Sequence, residues 1–80
     1  MFLQICHENA NRDMGTVELG EGQEMTAETM RWEAHAAQDA GILSYDMYEG
    51  DTYELRVWDE DMCVWDMLYT LSDGYLRPVR

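Results

Sequence analysis

Eighty residues with seventeen Asp and Glu against five Arg, and no Lys at all, carry a formal charge of -12. Such an excess excludes direct binding to nucleic acid or to an anionic membrane surface and directs attention to strongly basic partners. A hydrophobic content of 46% with three Trp and five Tyr argues against a disordered acidic tail, so residues 1–80 read as one small folded domain.

Residues 1–7 read as a strand with Leu3 and Ile5 on one face. After the turn-rich 9–13, the alternation of Thr16-Val17-Glu18-Leu19 predicts a first hairpin, with Val17 and Leu19 facing Ile5 and Leu3. From Thr26 the spacing becomes helical: Thr26 is an N-cap, Glu28 suits the first turn, and Gly41 follows Ala40 where a left-handed residue belongs. Ala27, Met30, Ala34 and Ala37 form the inward stripe, while Glu28, Arg31, His35, Gln38 and Asp39 share the outer side. Trp32 falls outside the stripe and is expected to cover the edge of the core.

Residues 42–58 carry the strongest hairpin signal, two amphipathic runs meeting at Glu49-Gly50-Asp51. A three-residue loop there sets Leu43 against Val57, Tyr45 against Leu55 and Met47 against Tyr53 on an apolar face. The opposite face then pairs Ser44 with Arg56, Asp46 with Glu54 and Tyr48 with Thr52. Directly opposed carboxylates destabilise a hairpin, so Asp46 and Glu54 in this register point to retention for a partner.

Residues 60–73 read as a second helix, with Val64, Trp65, Leu68 and Leu71 on its apolar side. Asp59 would cap it, Glu60 and Asp61 suit its positive end, and Gly74 stops it; a third meander strand is the alternative. Residues 75–79 add a short edge strand, where Pro78 is tolerated. The expected architecture is α+β in ββαββα order, an antiparallel sheet covered on one face by two helices.

Chemistry-bearing motifs are sparse. Cys6, His7, His35 and Cys63 lack metal-ligand spacing, and adjacent Cys6 and His7 on a strand point to opposite faces. Asp46, Glu49 and Asp51 do not complete a calcium loop, and the two cysteines are expected reduced. No nucleophile elbow or phosphate-cradling Gly-rich loop occurs, and Asp46 with Glu54 on a solvated face would both ionise. The expectation is a non-enzymatic protein with no catalytic residues, metal or cofactor. No basic segment followed by an apolar core opens the chain, and no run of about 18 apolar residues occurs, which makes the cytoplasm the expected compartment.

Acids recur at Asp46, Glu49, Asp51, Glu54, Asp59, Glu60, Asp61 and Asp66, with Tyr48 among them as an aromatic anchor. This Lys-free acidic layout is similar to that of small phage-encoded inhibitors that mimic DNA, among them anti-CRISPR and antirestriction proteins. The resemblance implies binding to a basic nucleic-acid-binding protein, a CRISPR effector complex or a restriction enzyme, in the host cell cytoplasm. Those nine residues are the expected partner-binding set, with Trp32, Trp58 and Tyr69 as further aromatic anchors beside it. The rival readings are a homodimeric structural or assembly module and an antitoxin-like partner of a basic protein.

Overall fold

In the computed structural model, which describes residues 1–79, alternation rather than helical spacing governs most of the chain. The elements are β1 (Phe2–His7), β2 (Arg12–Glu18), α1 (Ala27–Asp39), β3 (Thr52–Asp59), β4 (Met62–Ser72) and β5 (Tyr75–Pro78). The strands form one antiparallel sheet in the order β2-β1-β3-β4-β5. Among the described residues α1 is the only helix, and it covers one face. The expected ββαββα arrangement with two covering helices is therefore wrong.

The second helix fails because residues 62–72 satisfy two periods at once. Val64, Leu68 and Leu71 fit a helical stripe, yet Trp65, Met67, Tyr69 and Leu71 alternate toward the core and Asp66, Leu68 and Thr70 alternate outward. Aromatic residues favour the pleated solution, and the turns at both ends enforce it. Asp73 and Gly74, at φ 54 and 79, close a two-residue hairpin loop between Ser72 and Tyr75. Asp-Gly is a favoured pair for a loop with both central residues at positive φ. Glu60, at φ 55, lies in the other tight turn, so Asp59-Glu60-Asp61 is a hairpin connection and not a helix start.

The hairpin expected over 42–58 is also absent. Its second half is β3, with Tyr53, Leu55 and Val57 inward as the alternation predicts. Both edges of β3 are taken: Leu55 lies between Ile5 of β1 and Met67 of β4, and Val57 between Leu3 and Trp65. Residues 42–48 instead cross the covered face as a loop that buries Leu43 and Met47. Ser44 N–H donates to the Met14 carbonyl at 2.8 Å, and Met47 N–H to Gln38 Oε1 at 2.6 Å. Asp46 consequently never opposes Glu54, whose sheet neighbours are Cys6 and Leu68. In the first hairpin the register differs by two residues from that expected: Val17 opposes Leu3, and Leu19 lies just past the strand, still buried.

The cap and inner stripe of α1 are as its sequence predicts, but His35 and Gln38, expected on its outer side, are half-buried and bond β5 and the following loop. Thr26 Oγ1 accepts the Thr29 N–H at 3.1 Å, and Met30, Ala34 and Ala37 face the sheet, the small residues allowing close approach. Two side chains tie the layers together. The Tyr69 hydroxyl donates to the Ala27 carbonyl at 2.7 Å, and burial pushes that phenol up to about 12. Tyr69 is fully buried, which removes it from the exposed anchors.

His35 Nε2 accepts the Leu76 N–H of β5 at 3.2 Å, and the Tyr75 ring meets the imidazole edge-on. Burial lowers the His35 pKa, Arg31 lowers it further, and Asp39 opposes both. The neutral ring is thus the folded form, so its contribution is complete above the unfolded value near 6.5 and is lost as pH falls below it. The expected result is that acidification through that window lowers the melting temperature of the parent relative to that of His35→Gln. Equal slopes in the two proteins would show that His35 does not set the dependence.

Candidate functional site

The nine expected partner-binding residues do not form one surface. Asp46, Tyr48, Glu49 and Asp51 sit on the loop before β3, whereas Asp59, Glu60 and Asp61 lie at its far end, roughly 23 Å away at about 3.3 Å per residue. Glu54 and Asp66 occupy the open face of the sheet between them.

Three of the acids serve the fold itself. The Glu49 carboxylate accepts the Asp73 and Gly74 amides, fastening the β4–β5 turn to the loop. Glu54 Oε1 lies 2.6 Å from the Arg56 guanidinium, two residues along the same face. Asp51 is held by His7. Asp46, Asp59, Glu60, Asp61 and Asp66 form no salt bridge among the described residues, and all five are exposed.

Outside the expected set, Glu21, Glu24, Glu28 and Asp39 are exposed on or beside α1, and Glu33 is half-buried there. Of these, the sequence reading placed only Glu28 and Asp39 on the outer side of the helix. Residues 21–49 carry seven carboxylates against Arg31 alone as a fixed cation, so the helix layer is strongly acidic as well.

At the mouth of the same loop lies an aromatic cluster that the sequence reading missed. His7 is buried at the end of β1 and stacks on Tyr53, with ring centroids 4.8 Å apart, flanked by Tyr45 and Tyr48. Its Nε2 lies 2.7 Å from Asp51 Oδ2 and its Nδ1 2.7 Å from the Tyr45 hydroxyl. A carboxylate only accepts, so Nε2 carries the proton, and in the neutral ring Nδ1 accepts from Tyr45. Both ring nitrogens are occupied, making His7 an anchor for the loop rather than an available base. The signal was present: His7 falls in phase with Leu3 and Ile5, which places it on the buried side of β1.

An open cavity of about 340 Å³ lies above this cluster, lined by His7, Ala10, Arg12, Tyr45 and Tyr48. The Arg12 guanidinium sits 5.4 Å from the centre of the Tyr45 ring. Tyr48 is exposed here, with its N–H donated to the Tyr53 hydroxyl at 2.5 Å. Trp32 is also largely exposed rather than covering the core edge, and Trp58 is half-buried with its indole N–H on Gln4.

Among the described residues no three His, Cys, Asp or Glu converge to hold a metal ion. Cys6 and Cys63 are free thiols on strands separated by β3, and burial raises the Cys6 pKa. No helix among the described residues is long and apolar enough to cross a membrane. No protein-family model, curated protein or solved structure matches the chain.

Proposed function

We propose that the protein is a non-enzymatic inhibitor that occupies a basic nucleic-acid-binding surface of a protein target as a DNA mimic, in the manner of anti-CRISPR or antirestriction proteins. One observation carries this reading: of seventeen carboxylates, only Glu54 meets an Arg, and Asp51 a histidine, within salt-bridge distance among the described residues. Solubility of a small domain asks for a net charge of only about 2 to 8. Crowded, unpaired carboxylates reproduce the repeating charge of a phosphate backbone and fit a Lys/Arg-lined channel. The helix layer, with Asp46 on its adjoining loop, and the Asp59-Glu60-Asp61 turn supply that charge; Glu49, Asp51 and Glu54 hold their surroundings in shape.

Capture of CRISPR effector complexes and restriction enzymes on the immobilised protein tests the reading. Retention is expected at about 50 mM salt, with release by excess duplex DNA and marked weakening at about 500 mM. Capture indifferent to both salt and DNA would identify an apolar assembly module instead.

A further inference from the structure

β4 has eleven residues and its outer neighbour β5 only four. β5 covers Tyr69 to Ser72, and the Val79 N–H reaches the Leu68 carbonyl at 2.9 Å. Upstream, residues 62–67 pair with β3 alone, so among the described residues their other edge is unoccupied. Met62, Cys63, Val64 and Leu68 are exposed along this stretch, and Asp66 is its single charge. Edge strands are normally protected by charged side chains, Pro, bulges or a covering segment; among the described residues this stretch has no Lys, Pro or cover, and its only protections are Asp66 and one bulge. A bulge at Val64, where Cys63 opposes Trp58 and Trp65 opposes Val57, bounds the regular part.

We infer that this free edge of β4 receives an extended segment of the partner by strand addition, and that the segment alternates basic with apolar side chains. The inference rests on the proposed binding to a basic target and names how part of that target is gripped. Since the Leu68 carbonyl points to the β5 side, alternation aims the N–H and C=O of Asp66 the same way, ready for an added ladder. Side chains of the incoming strand on one face would lie beside Asp66. Those on the other would extend the half-buried row of Trp65 and Met67. Charge selects the occupant: the Asp59-Glu60-Asp61 turn starts the edge and Asp66 lies along it, so a second copy, itself at -12, would set like charges together.

The test titrates the intact protein with a blocked eight-residue peptide of alternating Arg and Val, and with the same peptide N-methylated at alternate positions. Hydrogen exchange of individual amides is followed by NMR. The unmethylated peptide is expected to slow exchange of the Asp66 amide, and methylation to weaken binding by about tenfold or more through lost backbone bonds. Asp66→Asn, which keeps the N–H, should bind more weakly yet still protect that amide. Equal binding of both peptides with changes confined to α1 would overturn the inference and leave the DNA-mimic reading standing. Binding of neither peptide would also overturn it, the DNA-competition capture then deciding the broader reading. Protection of the same amides in a peptide-free dimer would assign the edge to a second copy.

Discussion

Truncation of Leu55 to Ala is expected to cost about 2 to 5 kcal/mol, a large part of the stability of a domain this size. Leu55 has no exposed surface, occupies the central strand and lies between Ile5 and Met67, so neither neighbouring strand can close the void without breaking its own ladder. The urea midpoint should fall sharply while the slope stays near that of the parent. Leu68→Ala, on the open face next to Glu54, should change stability by no more than about 0.5 kcal/mol. Similar losses in the two variants would contradict the assignment of faces.

Replacement of His7 by Ala should cost about 3 kcal/mol, because it strands the Asp51 carboxylate and the Tyr45 hydroxyl and removes the ring stacked on Tyr53. The loss should show locally as well as globally. The amides of Met47 and Tyr48, held by Gln38 and Tyr53, should exchange faster as the loop lifts from the sheet. Asp51→Asn keeps an acceptor for the imidazole N–H and should cost under about 1 kcal/mol. If His7→Ala left both stability and loop exchange unchanged, the imidazole would not be the anchor of the loop.

What the sequence discloses about this fold is mostly what is decided locally. The cap at Thr26, the Ala-rich inner stripe and the period-two pattern of Tyr53, Leu55 and Val57 each depend on near neighbours, and each stands in the structure. Pairing is different. Leu43, Tyr45 and Met47 alternate well enough for a strand, but β3 is already flanked by β1 and β4, and a competition among distant segments leaves no local trace. In 62–72 the two periods coincide, and Asp73-Gly74 did not separate them in sequence because a helix stop and a two-residue hairpin loop share that composition. The candidate site was legible in its charge but not in its layout. Arg56 lies two residues from Glu54, a spacing that on any strand puts both on one face, so that ion pair was readable in advance; the Asp51–His7 contact, 44 residues apart, was not.

The strand order also governs how the chain reaches this state. β3, β4 and β5 are joined by two-residue turns, and such hairpins close within about 1 to 10 μs. β1 meets β3 only after some fifty intervening residues are looped out, since His7 aligns with Tyr53 and Phe2 with Trp58. Loop closure of that length carries an entropic cost that sequence-local hairpins escape. On these closure costs the C-terminal meander is expected to assemble before the N-terminal hairpin and α1 dock onto its β3 edge. Until that docking, the β3 edge stands open on the side opposite the free edge of β4, and like charge between two copies at -12 opposes pairing of the half-formed sheet with its own kind.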